Sequence, residues 1–134
     1  MANNAWKIEV GLNNVPAYQV SGRPYASGAI NATSATYITF PYVTRWVYVV
    51  NTGATDCRVG FSQAGVEGTN YFTVGKKDNQ TYMSSARLEL KVTQLWFSGS
   101  DGAAIDVCAG LTSILSKRTS GSLGPSFSGS IGVG

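Results

Sequence analysis

The chain has 134 residues, of which 43% are hydrophobic and only 13% charged, with a formal net charge of +3 and no histidine. That length suits one domain around one core. Without histidine, the commonest general base and the commonest metal ligand are both missing.

The charged share is about half the usual fraction. With seven tyrosines and sixteen glycines, the surface lacks the charge that discourages association, which suits a chain packed against copies of itself. The basic residues are scattered, and the adjacent pairs are Lys76-Lys77 and Lys117-Arg118. Without a basic stripe, no direct nucleic-acid binding is expected. No apolar run approaches bilayer-spanning length, so no membrane span is expected either. The first residues, Met1 to Lys7, lack the basic and apolar regions of a signal peptide, which predicts a cytoplasm-like compartment.

Trp6, Ile8 and Val10 alternate on one face of a predicted strand over 5–10. A short strand is expected over 17–20, closed by Ser21-Gly22-Arg23-Pro24. From Thr33 to Phe40, alternation sets Thr36, Ile38 and Phe40 against Tyr37 and Thr39. Thr44 to Asn51 is almost wholly β-branched and aromatic, as expected for a central strand covered on both faces. Asn51 to Asp56 then reads as a turn into Cys57–Ser62, predicting a β-hairpin.

A loop is expected over 63–69, a strand over 70–74 and a polar loop over 75–80. Residues 86–92 alternate cleanly, with Leu88, Leu90 and Val92 inward and Arg87, Glu89 and Lys91 outward. Leu95 to Ser98 follows, Gly99 to Gly102 turns, and Ala104 to Leu111 ends the domain with Ile105, Val107, Ala109 and Leu111 inward. No window has a helical period. The fold class is therefore all-β, and an eight-stranded jelly-roll β-sandwich over 1–115 fits the strand count and loop lengths best.

After Ser116 more than half of the residues are Ser or Gly. Composition alone describes a flexible linker over 116–134. Leu123, Phe127, Ile131 and Val133 interrupt it regularly, which favours an extended C-terminal arm docking on a neighbouring subunit.

Catalytic candidates are few. Glu9, Asp56, Glu67, Asp78, Glu89, Asp101 and Asp106 are dispersed along the chain, and Asp56, Asp78 and Asp101 sit in turns where carboxylates cap the backbone. A sandwich hydrolase would need two carboxylates brought together in a cleft. Cys57 and Cys108 are too few for a zinc site without histidine. Their parities place Cys57 inward and Cys108 outward, which predicts two free thiols. No catalytic, metal or cofactor-binding residue is assigned. Trp46, Tyr48, Trp96 and Phe97 read as core or sheet-face packing. Tyr18, Tyr25, Tyr37, Tyr42, Tyr71 and Tyr82 fall near strand ends, where they suit either subunit interfaces or sugar stacking. Tyr25 and Tyr42 join the four apolar residues of the arm as candidate assembly contacts.

The succession Thr44–Asn51, Val59–Ser62, Tyr71–Val74, Leu88–Val92 and Leu95–Ser98, ending near Ala109–Thr112, resembles the single jelly-roll capsid proteins of large double-stranded DNA viruses. It is similar in particular to the penton proteins that fill five-fold vertices of icosahedral capsids. The likeness covers residues 35–115 and rests on the order and character of the strands. It implies a homopentamer at each vertex, with strands roughly normal to the shell. It also implies arms reaching the major capsid protein and other minor capsid proteins, a virion location after synthesis in the host cytoplasm, and no catalytic residues. The competing expectation is a capsid decoration or a receptor- or carbohydrate-binding sandwich.

Overall fold

The computed structural model describes residues 23–115. The elements are β1 (Arg23–Asn31), β2 (Thr36–Thr39), β3 (Tyr42–Asn51), β4 (Cys57–Gly60), a short helix α1 (Gln63–Glu67), β5 (Tyr71–Val74), β6 (Met83–Ser84), β7 (Gln94–Ser98) and β8 (Ala103–Leu115). They form two four-stranded antiparallel sheets, ordered β1-β8-β3-β6 and β2-β7-β4-β5. The described residues form the expected all-β sandwich, and almost no helix accompanies it among them. The strands expected over 5–10 and 17–20 lie outside the described residues. So does the 116–134 arm with Leu123, Phe127, Ile131 and Val133.

The pairing is nested. β1 pairs with β8, β2 with β7, β3 with β6 and β4 with β5. The contacts β3·β8 and β4·β7 then join these pairs side by side. Strands distant in sequence thus meet through the period-2 alternation, which turns one side of each strand to a shared interior. Val47 and Val49 of β3 and Ile105, Val107, Ala109 and Leu111 of β8 share a buried cluster with Cys57, Val59, Val74, Leu95, Phe97 and Phe40. Each fully buried Val, Leu, Ile or Phe side chain contributes about 1.5–3 kcal/mol.

The hairpin expected between β3 and β4 does not form, because the two strands lie in different sheets. Asn51, fully buried, turns the chain across the sandwich. Its Oδ1 accepts from the Gly53 N–H at 2.9 Å, and its Nδ2 donates to the carbonyls of Thr55 (2.8 Å) and Val74 (3.2 Å). One amide side chain therefore satisfies three backbone groups that a hairpin ladder would otherwise pair. β3 is also not covered evenly on both sides. Val47, Val49 and Asn51 are buried, whereas Trp46, Tyr48 and Val50 on the opposite side are half-exposed.

Residues 86–92 keep the expected parity but are no continuous strand. Leu88 exchanges both backbone hydrogen bonds with Val47 (2.7 and 2.9 Å), and Leu90 N–H then turns back to the Leu88 carbonyl (3.0 Å). Thr44 bridges the gap this leaves. Its hydroxyl donates to the Leu90 carbonyl and accepts from the Val92 N–H at 3.1 Å, while the Thr44 N–H reaches the Val92 carbonyl at 3.0 Å. Thr44→Val keeps the shape and removes the hydroxyl. We expect it to lower stability by about 1.5 kcal/mol, read as a lower urea midpoint at unchanged slope.

The loop expected over 63–69 contains α1. Ser62 caps it, accepting from the Gly65 N–H at 2.9 Å, and Val66 is its buried anchor. The helix is one turn long, too short for a periodic signal in the sequence.

Candidate functional site

The described residues present two sheet faces, each with its own row of aromatic side chains. On the outer side of the first sheet, Ala26, Cys108 and Tyr48 lie in one cross-strand row. Pro24, Gly110 and Trp46 form the next. Trp46 and Tyr48 stack along β3 with centroids 6.1 Å apart and planes 10° off parallel. The small residues of β1 and β8 leave a trough of about 460 Å³ beside this aromatic ridge, bordered by Ala26, Gly28, Val50 and Asp106. Cys108 lies next to Tyr48. The charge that develops on Cys108, the hydrogen bond between the two side chains and partial desolvation together hold the Tyr48 phenol above its ordinary value of 10.

Asp106 shapes the rim of that trough. Its Oδ1 accepts from the Ala29 N–H at 2.9 Å, where Ala29 has φ +55°. The register breaks between Ser27 and Ile30 at this point. Among the described residues β1 lies at one edge of its sheet, and an irregular edge of this kind resists indiscriminate strand addition.

On the second sheet, Tyr37 leans on Trp96, centroids 4.7 Å apart, and the indole N–H donates to Gln94 Oε1 at 3.4 Å. The Arg58 guanidinium covers the Tyr71 ring at 4.5 Å. Gly60 lies between Trp96 and Tyr71 in the cross-strand row, and Val66 of α1 packs close to it, since a Cβ at Gly60 would meet Val66 at 2.9 Å. Among the described residues, the large apolar side chains most open to solvent are Tyr82 (59%), Tyr37 (51%), Met83 (42%) and Tyr71 (37%).

Tyr25 and Tyr42, the two candidate assembly contacts inside the described region, are both half-buried and packed against the core. Tyr25 meets Phe40 edge-to-face at 5.0 Å, and Arg23 lies over the Tyr42 ring at 4.9 Å. They offer edges rather than full faces. Tyr37 was legible as outward from its alternation with Ile38 and Phe40. Met83 carried no such signal, because β6 is only two residues long.

Both cysteines are free thiols, Cys57 buried and Cys108 half-exposed. Burial pushes the Cys57 thiol up to about 11 from an ordinary 9, partly opposed by a backbone hydrogen bond from Ser98. Its raised folded-state value favours the fold below pH 9, and that contribution is lost as pH rises through about 11. Cys57→Ala should therefore show a shallower fall of melting temperature across this alkaline window than the parent chain. At neutral pH a thiol reagent should label Cys108 first, read by peptide mass mapping.

Asp56 caps the loop after β5, its Oδ1 accepting from the Lys76 N–H at 2.8 Å. Glu89 pairs with Arg87 at 3.0 Å on the surface. No three His, Cys, Asp or Glu side chains gather as a metal site among the described residues. No helix there is long and apolar enough to cross a membrane. Comparison with protein-family models, curated proteins and solved structures finds no match.

Proposed function

We propose that this chain is a structural subunit of a viral capsid: a single jelly-roll penton or minor capsid protein that closes into a ring and docks on the major shell. The observation that carries the reading is the nested pairing of β1 with β8, β2 with β7, β3 with β6 and β4 with β5. This is the connectivity expected when one long hairpin is rolled into two sheets. Jelly rolls of that kind recur in viral capsid and lectin domains.

Fold alone does not choose a function, so the surface has to support the choice. Among the described residues Tyr37, Tyr82 and Met83 are exposed, and the trough beside Trp46 and Tyr48 carries a single carboxylate. Aromatic residues and methionine are the types enriched in interfaces, and charged residues are depleted from interface cores. A ring built from one chain uses two different patches per subunit and closes by rotation. Sedimentation equilibrium of the full chain should return a closed oligomer, a pentamer on this reading. A monomer at every concentration would contradict it.

A further inference from the structure

A second depression, of about 430 Å³, opens on the outer side of the second sheet near the loop end of the sandwich. Its floor is the cross-strand row Ser98, Arg58 and Thr73. Asp56 borders it from the same side of the chain as Arg58, two residues and about 7 Å away along an extended backbone. Tyr71 forms the apolar wall, and Gly99 keeps one border low. We propose that this depression binds a neutral saccharide.

The chemistry of the lining selects that class. Arg58 donates one N–H to the Val66 carbonyl at 3.4 Å and rests on Tyr71, which fixes the guanidinium in place. Asp56 is fixed as well, because its Oδ1 holds the Lys76 N–H while no hydrogen bond engages Oδ2 among the described residues. No ion pair joins Arg58 to Asp56 among those residues. A strong donor and a strong acceptor therefore line one depression, each held by its own support.

A phosphate or sulfate on Arg58 would face the Asp56 carboxylate. An apolar ligand would strip water from both charges without replacing it. Two hydroxyls of one sugar answer both groups, one accepting from Arg58 and another donating to Asp56, and such charge-assisted bonds are the strong ones. Ser98 and Thr73 add hydroxyls that donate or accept as needed. Arg58 covers one face of the Tyr71 ring, and the part of the ring left uncovered offers an apolar edge to the C–H side of the sugar. The volume lies within the range of about 300–1,000 Å³ usual for small-ligand pockets.

The test is a titration of the ¹⁵N-labelled full chain with glucose, galactose, mannose and N-acetylglucosamine, with inorganic sulfate as the anionic control. At least one sugar should shift the amides of Asp56, Arg58, Thr73 and Ser98 in a saturable way. Arg58→Gln and Asp56→Asn should each weaken that binding by about tenfold. Asp56→Asn retains an oxygen for the Lys76 N–H, so it separates ligand contact from loop folding, and melting curves check both variants. Absence of saturable shifts with all four sugars overturns the proposal. So does binding unchanged in both variants, or sulfate binding that Asp56→Asn strengthens. A failed titration leaves the oligomer measurement untouched, so this site and the capsid reading fall separately.

Discussion

Asn51→Leu is expected to cost about 3–4 kcal/mol of unfolding free energy, the largest loss from any single substitution considered for this fold. Leucine fills the space of asparagine but strands the Gly53 N–H and the Thr55 and Val74 carbonyls, which now meet the Asn51 amide. Asn51 is fully buried, so water reaches these groups only if the corner opens. Asn51→Asp is the diagnostic companion. It keeps an acceptor for Gly53, loses both donated bonds and buries a carboxylate whose pKa burial raises. Its destabilisation should shrink as pH falls and the acid takes up a proton. Urea melts at neutral and mildly acidic pH separate the two variants, and equal losses at both pH values for Asn51→Asp would contradict this account of the corner.

Gly110→Val should cost about 3 kcal/mol, through displacement of Trp46 rather than through the core. The Trp46 indole lies directly against Gly110. A Cβ there would overlap its Nε1 and stand 2.7 Å from Cε2 and 3.1 Å from Cδ1. The two residues face each other across β3 and β8, and an aromatic ring laid over a cross-strand glycine is a recognised stabilising device. Because Tyr48 stacks on the same indole, the substitution disturbs the whole ridge beside the trough. Tryptophan emission should shift to the red along with the lower urea midpoint. A destabilised variant with unchanged emission would place the strain elsewhere.

These two sites also mark where the sequence was legible. Alternation correctly turned Ile105, Val107, Ala109 and Leu111 inward, because period 2 records which side of a strand meets the core. It also assigned Leu88, Leu90 and Val92 to the inner side. Parity does not report hydrogen bonding, however, and there the Thr44 side chain replaces part of the ladder. The corner at Asn51 read as a hairpin because a turn between two apolar runs looks alike whether the strands pair or part. What separates the cases is the long-range bond from Asn51 to Val74, which local sequence does not carry. For the same reason the assembly candidates were only partly legible. Tyr25 and Tyr42 sit near strand ends, as expected, yet Phe40 and Arg23 occupy their rings. The depression at Asp56 and Arg58 draws on three separate segments that meet only once β4 lies between β5 and β7.

If this sandwich is an assembling structural part, as proposed, the symmetry of its assembly is the most direct test. Electron cryomicroscopy of particles that incorporate the chain should show the sandwich arranged about a five-fold axis, with neighbouring copies in contact. Sandwiches standing singly on the particle surface, each without a second copy beside it, would contradict the account.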